Sequence, residues 1–343
     1  MSGHASESEA KPTAPEPSDS PRSFRARLLA ASINGLTGIF ARLPLGVSSA
    51  LARAFGRLWV GIGGPRSRRV RDQLGKAFPE NSREQVTAWT RGVFEHLSMG
   101  LVELLVLRGG RASQLLDRVE VIGLEHLSAA EAQSEKGGVL VVTGHVGNWE
   151  LACAKVAALG IPVSVVFRGL REPVLDEILL DLRNSASRVA KEASDCKARR
   201  GDAEPGSVGT SPAEVQQIRM GHAGLPVVRA LEAGRKVITL LDQDAKREEG
   251  VFVPFFGRLA STRSGPIELA MARNVPIVPA FIHRLGDGQR HRIEIGPALR
   301  LEDDVLANTQ QVTEAIEAAI RARPSQWIWT HRRWRTQPDP SNP

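Results

Sequence analysis

Cysteine is scarce in this sequence. The two cysteines, Cys153 and Cys196, are too few for a disulfide framework or a cysteine-rich metal site, so we expect a reducing compartment. Long apolar runs are missing as well. The longest run without a charge is Leu28–Ala41, which is shorter than the roughly 18–20 residues that a membrane-spanning helix needs. A disulfide-bonded mini-protein and a polytopic membrane protein are therefore excluded.

Several common catalytic motifs are also absent. The sequence contains no G-x-S-x-G elbow, no G-x-x-x-x-G-K-[ST] loop, no H-E-x-x-H and no G-x-G-x-x-G. Serine hydrolase, nucleotide hydrolase, zinc protease and dinucleotide-binding interpretations therefore lose their usual support.

What is present is an ordinary globular composition with excess positive charge. The 343 residues are 42% hydrophobic and 24% charged, which suits two domains or one large α/β domain with appended helices. The formal net charge of +7 favours an anionic partner. Nucleic acid, anionic lipid and phosphorylated substrates all qualify.

The first third of the chain is expected to be a tail followed by helices. Residues 1–20 are rich in Pro, Ser and acids and predict a disordered tail, without the pattern of a secretory signal. Residues 21–65 predict amphipathic membrane-associated helices, with packing on the protein's own core as the alternative. Arg53 and Arg57 share one helix face there. The other side is apolar, with Leu51, Ala54, Phe55, Leu58 and Trp59. Residues 66–115 read as a helical connector.

Residues 116–338 alternate between strand and helix patterns. Continuous apolar runs occur at Val119–Ile122, Val139–Val142, Val163–Phe167, Val237–Leu241, Ile277–Ile282 and Arg292–Ile295. Such runs indicate strands buried on both faces, which predicts an α/β fold with a mainly parallel central sheet flanked by helices. Ligands bind beyond the carboxyl ends of such strands. The stretch 190–224, with its charges, Gly, Ser and Pro, is expected to be a surface insertion.

The most informative strand end lies in the segment GGVLVVTGHVGNWELACAKVAALG. A buried strand is followed by a turn, by His145, and by a helix that Asn148 is placed to cap. Glu150 lies in the first turn of that helix and completes an H-x4-E spacing with His145. A carboxylate that accepts one ring N–H leaves the other nitrogen free to take a proton from a hydroxyl. The alternative is that His145 only hydrogen-bonds at the strand end.

Two further strand ends carry polar residues. Arg168 could hold a phosphate or carboxylate, or pair with a nearby acid on the surface. Asp242, Gln243 and Asp244 follow the next apolar run. The two aspartates could ligate a divalent cation, but such acids more often pair with arginine or cap a turn, so no metal is expected.

Aromatic residues near the C-terminus leave two interpretations open. Phe255 and Phe256 would suit a lipid chain if exposed, whereas core packing is the commoner fate of such side chains. The segment PSQWIWTHRRWRTQP interleaves tryptophans with Arg332, Arg333 and Arg335. It suits contact with membrane headgroups or nucleic acid, or packing as a structural tail.

Taken in order, a set of segments resembles one enzyme family. The segments are TGHVGNWELA, the strand end at Arg168, LLDQD, VPFFG, the turn before IELAMARNVPIVPAF, and QWIWTHRRWRTQP. They resemble the bacterial lipid A biosynthesis acyltransferases, the lauroyl/myristoyl branch of the lysophospholipid acyltransferase superfamily. The resemblance covers about residues 25–338 and implies a glycerol-3-phosphate acyltransferase-like fold with N-terminal membrane-associated helices.

The resemblance implies an O-acyltransferase. It would move a fatty acyl chain from an acyl carrier protein thioester, or from acyl-CoA, to a hydroxyl of a lipid A precursor. His145 would be the general base, and Glu150 would orient and charge-stabilise its imidazole. Direct attack of the hydroxyl on the thioester implies no covalent acyl-enzyme, no metal and no cofactor.

Further residues receive substrate-binding roles from the same resemblance. The backbone of Gly147 and Asn148 would offer N–H donors to the tetrahedral oxyanion. Arg168 would bind an acceptor phosphate, and Asp242 and Gln243 would shape the floor of the site.

The implied location is the cytoplasmic face of the inner membrane, with peripheral attachment or a single N-terminal anchor. Other acceptors stay open, namely another glycolipid such as a phosphatidylinositol mannoside, or a lysophospholipid. From a different class, a basic nucleic-acid-binding protein and a catalytically silent membrane-attached scaffold are the alternatives. The spread of the basic residues speaks against nucleic acid, and the His145/Glu150 pair speaks against a scaffold.

Overall fold

A computed structural model describes residues 24–109, 111–169, 175–181, 183–184, 213–221, 223–286 and 288–339. The predicted tail at 1–20, Cys196 and most of the 190–224 stretch lie outside these residues. The described residues form an α/β fold, in which a seven-stranded sheet is flanked by helices and accompanied by a separate two-stranded hairpin.

The strands confirm the predicted parallel character of the sheet. They are β1 (Val119–Ile122), β2 (Val139–Thr143), β3 (Val163–Phe167), β4 (Gln216–Arg219), β5 (Lys236–Leu240), β6 (Gly250–Phe255), β7 (Arg258–Arg263), β8 (Ile277–Leu285) and β9 (Arg290–Ile295). In space the large sheet has the order β1-β9-β8-β2-β5-β3-β4. Among its described pairs, β8 and β9 run antiparallel and the others run parallel.

Helices precede the sheet, connect its strands and, in the case of the last helix, follow its last strand. They are α1 (Phe24–Phe40), α2 (Leu45–Gly61), α3 (Pro65–Ala77), α4 (Arg83–Arg108), α5 (Ala112–Leu116), α6 (Leu124–Gln133), α7 (Trp149–Ala158), α8 (175–181 and 183–184), α9 (Gly224–Glu232), α10 (Gly265–Ala272) and α11 (Val305–Ala322). Short 3₁₀ turns occur at Arg247–Glu249 and Pro324–Gln326. The helical character predicted for 21–65 and 66–115 is confirmed by α1 to α5.

Burial on both faces explains the unbroken apolar sequence of β2. All five of its residues are buried. Leu140 and Val142 join a core cluster with residues of α3, α4, α10 and α11. Val139 and Val141 join a second cluster with residues of α5, α6 and α7. Helices on both faces therefore take alternate side chains of the same strand.

Three strands were not predicted by the sequence. Strand β4 lies within the stretch expected to be a surface insertion, so that interpretation is wrong for 216–219. It pairs in parallel with β3 at the sheet edge, and Ile218 is its one buried residue. An edge strand with one buried side chain carries no apolar run to reveal it. The predicted strand Val237–Leu241 is also displaced by one residue from β5.

The other two strands form the hairpin β6-β7. Its turn places Phe256 at φ 52° and Gly257 at φ 69°, which is the left-handed backbone that two-residue hairpin turns require. Phe255 and Phe256 are buried, and their rings lie 5.8 Å from Trp327 and 5.9 Å from Trp329, centroid to centroid. The lipid-contact interpretation of these two residues is therefore wrong, and core packing is confirmed.

The C-terminal segment packs back onto the hairpin. Trp327, Trp329 and Arg333 are fully buried. Arg333 donates from Nη1 to the Ser261 carbonyl (2.6 Å) and from Nη2 to the Thr262 hydroxyl (2.5 Å). Burial lowers the pKa of Arg333 to about 10. These contacts match the structural-tail interpretation.

Helix α2 packs with small residues and leaves its large apolar residues outside. Its buried residues are Leu45 at the start and then the small residues Ser48, Ala52 and Gly56. A Cβ on Gly56 would lie 2.6 Å from backbone atoms of α4, so only glycine allows this approach. The apolar side chains on its outer side are exposed, by 50% at Leu51, 57% at Phe55, 63% at Leu58 and 78% at Ile62 just beyond it. Within the described residues, no helix has the length and apolar character to cross a bilayer.

Candidate active site

The site forms where β2 and β5 end. These strands are parallel neighbours, with Thr143 opposite Leu240, so the residues that follow them meet at one sheet edge. His145 follows β2, and Asp242 and Gln243 follow β5. The strand, turn and helix predicted around His145 are present, and α7 begins at Trp149.

Asp242 holds the imidazole of His145. Its Oδ1 lies 2.7 Å from His145 Nδ1, and its Oδ2 accepts the backbone N–H of His145 at 2.7 Å. An N–H on Nδ1 leaves Nε2 as the basic nitrogen. Gln243 places its side-chain nitrogen 3.3 Å from that Nε2. The His145 side chain keeps 18% exposure, so Nε2 is the part of the pair that a substrate can reach.

The Asp242 carboxylate is buried and ionised. Burial opposes its ionisation, but the nearby His145 ring and the hydrogen bonds from His145 and Trp327 hold its pKa at about 2. Trp327 Nε1–H donates to Oδ2 at 2.6 Å. Glycine at position 144 leaves space for the Asp242 side chain, because a Cβ there would lie 3.3 Å from Cβ and Cγ of Asp242. A buried carboxylate with three N–H donors is fixed in charge and position.

The predicted pairing of Glu150 with His145 is contradicted. Arg183 on α8 donates from Nε to both Glu150 oxygens, at 3.0 and 2.8 Å, and its Nη2 also contacts Oε1. Trp149 Nε1–H is a further donor to Glu150, at 3.2 Å. The sequence shows only that Glu150 is near His145 along the chain. Strand pairing brings the more distant Asp242 into contact instead.

The predicted oxyanion role of Gly147 is contradicted as well. Its N–H donates to the Gln326 carbonyl at 2.9 Å and is already used. Glycine is required here for another reason, because φ is +63° and a Cβ would lie 2.0 Å from the Ile282 carbonyl oxygen. Gly147 thus lets the turn behind His145 pass close to β8.

Asn148 is confirmed as the N-cap of α7, but its side chain does not face a substrate. Its Oδ1 accepts the N–H of Leu151 at 3.2 Å, and its Nδ2 donates to Glu103 at 2.9 Å. The side chain is 5% exposed. The role predicted for Asn148 is that of a backbone N–H donor to the oxyanion, which these side-chain contacts do not test, so it stays a prediction.

A buried ionic network contacts the turn at Gly147. Arg284 of β8 binds Glu103 of α4 through both Nη atoms, with Nη2 to Oε2 at 2.9 Å. Burial and the Arg284 charge lower the pKa of His96 to about 3, so this ring is neutral at pH 7. Its Nε2 lies 3.1 Å from the Gly147 carbonyl, as donor, and its Nδ1 lies 3.5 Å from Arg284 Nε. No sequence pattern predicted this network, because its members are far apart along the chain.

Arg168 is exposed just beyond the end of β3, where it was predicted to be. Among the described residues, none forms an ion pair or hydrogen bond with its guanidinium. Its charge helps, after Arg263 and Lys246, to hold the pKa of Glu249 below its usual range. Strand β5 separates β3 from β2, so Arg168 lies two strands from His145 along the same edge.

Asp244 is bound by the C-terminal segment. Its Oδ2 accepts from the Thr336 hydroxyl (2.9 Å) and lies 3.1 Å from Arg335 Nη2, and its Oδ1 accepts the Thr336 N–H (3.0 Å). The alternative in which Asp244 pairs with an arginine is confirmed by its contact with Arg335. Asp242 is paired with His145 instead.

An apolar cavity begins beside His145. Trp149, whose ring centroid is 4.7 Å from that of His145, lines it together with Thr143. From there it continues between the sheet and helices α6 and α7 as far as Lys236. Other apolar residues that line it are Leu127, Val141, Ala152, Cys153, Val156, Val163, Ile238, Leu240, Ala280, Phe281, Ile282, Ile293 and Ile295. Since Lys236 begins β5 and Thr143 ends β2, the cavity runs the length of a strand, about 13 Å.

Comparison with known proteins identifies the family. The model of the bacterial lipid A biosynthesis acyltransferase family matches residues 22–195 and 215–336. Among curated relatives, the lipid A biosynthesis lauroyltransferase of Escherichia coli K12 is 25% identical over 311 residues, which cover 89% of this chain and 90% of that protein. A lipid A biosynthesis acyltransferase of Haemophilus influenzae is 24% identical over 307 residues, 88% of this chain and 86% of that protein. The lipid A biosynthesis palmitoleoyltransferase of Escherichia coli K12 is 23% identical over 306 residues, 89% of this chain and 90% of that protein.

The family model spans both halves of the α/β fold, including the strand end at His145 and the segment with Asp242 and Trp327. Because this match covers most of the chain, the protein belongs to the bacterial lipid A biosynthesis acyltransferase family.

Proposed function

We propose that this acyltransferase moves a fatty acyl chain from an acyl carrier protein thioester to a hydroxyl of a lipid A precursor, without a covalent acyl-enzyme. The observation that carries the proposal is the His145–Asp242 pair at the mouth of an apolar cavity. The pair supplies a base with a fixed tautomer. The cavity encloses only about 60 Å³, and its apolar lining matches the chemistry of a hydrocarbon chain.

His145 acts as the general base. Nε2 takes the proton of the acceptor hydroxyl while its oxygen forms a bond to the thioester carbon. The tetrahedral intermediate then expels the thiolate as the C–S bond breaks, and the imidazolium returns its proton to the sulfur. Asp242 stays ionised throughout and stabilises the imidazolium. The products are the new ester and the free thiol.

Gln243 is our candidate for the oxyanion donor. Its amide nitrogen lies 3.3 Å from His145 Nε2, so it borders the place where the hydroxyl must arrive. An amide N–H fixed next to a reacting carbonyl stabilises the negative charge that develops on its oxygen. This role replaces the one expected of the Gly147 N–H.

The remaining contacts concern the acceptor and the membrane. Arg168, exposed on the same sheet edge, is proposed to bind an acceptor phosphate. The exposed apolar side of α2, with Leu51, Phe55 and Leu58, supports peripheral attachment at the cytoplasmic face of the inner membrane. A lipid acceptor held in that membrane would then meet the enzyme at its own surface.

The test is mass spectrometry of the products. Purified enzyme receives acyl carrier protein thioesters and either a tetra-acylated lipid A precursor or a lysophospholipid. We expect a gain of one acyl chain on the lipid A precursor. A gain on the lysophospholipid alone would move the chain to another acceptor class, and no gain on either acceptor would favour another glycolipid or a non-catalytic role.

The direct-transfer step needs its own measurement. The intact mass of the enzyme is recorded after incubation with the acyl donor alone and again after the acceptor is added. We expect the unmodified mass in both cases. Appearance of enzyme that carries one acyl chain, and its loss on addition of acceptor, would establish a covalent intermediate and contradict the proposal.

A further inference from the structure

A second cationic site lies between α3 and the C-terminal segment. The cleft there, which we term the basic cleft, encloses about 500 Å³. Its lining residues are Pro65, Arg68, Arg69, Asp72, Gln73, Lys76, Arg332, Trp334 and Arg335. Five of these are cationic and one is a carboxylate. A cleft of this volume is in the range of small-ligand sites.

The two walls of the cleft are fixed to each other by a buried side chain. Gln73 on α3 donates from Nε2 to the carbonyls of Trp329, at 2.5 Å, and His331. Its Oε1 accepts the backbone N–H of Arg333 at 3.1 Å. Arg69 adds a longer contact from Nη1 to the Thr330 carbonyl, at 3.4 Å. The spacing of the cations across the cleft is therefore set before any ligand arrives.

Most of the positive charge in the cleft is not neutralised by the protein. Arg335 pairs with Asp244. Among the described residues, no carboxylate lies within ion-pair distance of Arg68, Lys76 or Arg332, and all three are exposed. Holding like charges together is unfavourable, and an anion between them removes that cost. Guanidinium groups in particular match the geometry of phosphate oxygens.

The cleft is close to the catalytic groups along the same short segment. Trp327 donates to Asp242, and His331 Nε2 accepts the backbone N–H of Asp244 at 2.9 Å. Arg332 follows directly and lines the cleft. The segment that lines the cleft is therefore continuous with the residues that hold Asp242 and Asp244 in place.

The surroundings indicate that the ligand is amphiphilic. Pro65, at the edge of the cleft, begins α3 only three residues after Ile62, which is 78% exposed. Leu58 precedes it on the same exposed apolar side. A phosphate held by the cleft would have apolar chains beside an apolar surface.

We propose that the basic cleft binds a phosphate group of the lipid acceptor and so positions its hydroxyl at His145. This inference rests on the proposed function, since it names a subsite for the same acceptor. It is distinct from the role proposed for Arg168, which lies beyond β3 and on another element.

The test compares two double variants of equal charge. Arg68→Gln/Arg332→Gln removes two cations from the cleft. Arg66→Gln/Arg71→Gln removes two exposed cations from the same helix outside the cleft lining. We expect the cleft variant to raise the acceptor KM about tenfold, with kcat and the donor KM within about twofold. The control variant should keep the wild-type acceptor KM.

Calorimetric titration with inorganic pyrophosphate tests the site without catalysis. We expect binding to the wild type and to the control variant, and its loss in the cleft variant. If the proposed function is wrong, the wild type will transfer no acyl chain. The titration would still show whether the cleft binds phosphate groups.

Three results would overturn the inference. The first is an equal effect of the two double variants on acceptor KM or on pyrophosphate binding, which would indicate general surface charge. The second is a rise of the donor KM alone, which would assign the cleft to the acyl donor. The third is loss of binding to phosphatidylglycerol vesicles with an unchanged acceptor KM, which would assign it to bulk membrane lipid.

Discussion

Replacing Asp242 by asparagine keeps the shape of the side chain and removes its charge. Asp242 accepts three N–H groups, from the His145 backbone, from His145 Nδ1 and from Trp327 Nε1. Asparagine has one acceptor oxygen, and its NH₂ group must face one of these donors. The ring then favours the tautomer with hydrogen on Nε2, which cannot act as a base. We expect kcat to fall by about 10³–10⁴-fold.

The same change should lower stability by a calculable amount. The pKa of Asp242 falls from its ordinary 3.8 to about 2 on folding. For a carboxyl whose pKa is depressed in the folded state, the stabilisation is fully present above the unfolded pKa and is lost as the pH falls through the folded pKa. It therefore contributes about 2 kcal/mol at neutral pH, which is lost between about pH 4 and pH 2. We expect Asp242→Asn to lower the free energy of unfolding at pH 7 by about this amount.

The assay is acyl transfer at saturating donor and acceptor, together with urea unfolding of the same preparations. Asp244→Asn is the matched control, because this carboxylate follows the same strand but binds Arg335 and Thr336. It should keep kcat within about tenfold of the wild type even if stability falls. If Asp242→Asn retained near-wild-type kcat while folded, the assignment of Asp242 as the partner of the base would be refuted.

Three further changes probe the neighbouring contacts. Glu150→Gln should lower the thermal midpoint, because it weakens a nearly buried ion pair with Arg183, and should leave kcat within about tenfold of the wild type. If the folded variant lost as much kcat as Asp242→Asn, Glu150 would be restored to the catalytic pair. Arg284→Met should lower the free energy of unfolding, measured in urea, by about 3 kcal/mol, because Glu103 then keeps an unpaired charge in a buried site. An unchanged urea midpoint would contradict this prediction. Gly147→Ala should lower both the thermal midpoint and kcat, since its Cβ would overlap the Ile282 carbonyl; wild-type values for both would show that the turn adapts.

Much of the fold could be predicted from local sequence. The strands β1, β2, β3, β5, β8 and β9 carry continuous apolar runs, because helices cover both faces of the sheet. Strand β4 lacks that signal, because it buries only Ile218. Strand β6 does carry an apolar run, but Pro254 within it is unfavourable to a strand. Periodicity detects strands by burial and therefore misses strands with little of it.

The residues that meet at the ends of β2 and β5 were located, but one of the pairs was assigned wrongly. His145, Asp242 and Gln243 were located because functional residues follow parallel strands at one edge. The partner of His145 was expected at Glu150, the nearest suitable carboxylate in sequence. Side-chain partners are set by tertiary contact, and here Asp242 is 97 positions away.

The supporting residues were invisible for the same reason. Arg284 carries no motif, and Trp327 belongs to the terminal Trp/Arg segment. Both act through buried contacts with residues from other elements. The sequence of that segment left contact with membrane headgroups or nucleic acid and internal packing open. Only the packing against the hairpin distinguishes Arg333, which is buried, from Arg332, which is exposed.

The most direct test of His145 as the base compares two histidine variants by product mass. His145→Ala removes Nε2 from the site, and His126→Ala removes a histidine on α6, outside it. Both are assayed with the same acyl carrier protein thioester and tetra-acylated lipid A precursor, after circular dichroism shows that they are folded. The account predicts the added acyl chain with wild type and His126→Ala and none with His145→Ala. Acylated product at wild-type rate from His145→Ala would contradict it.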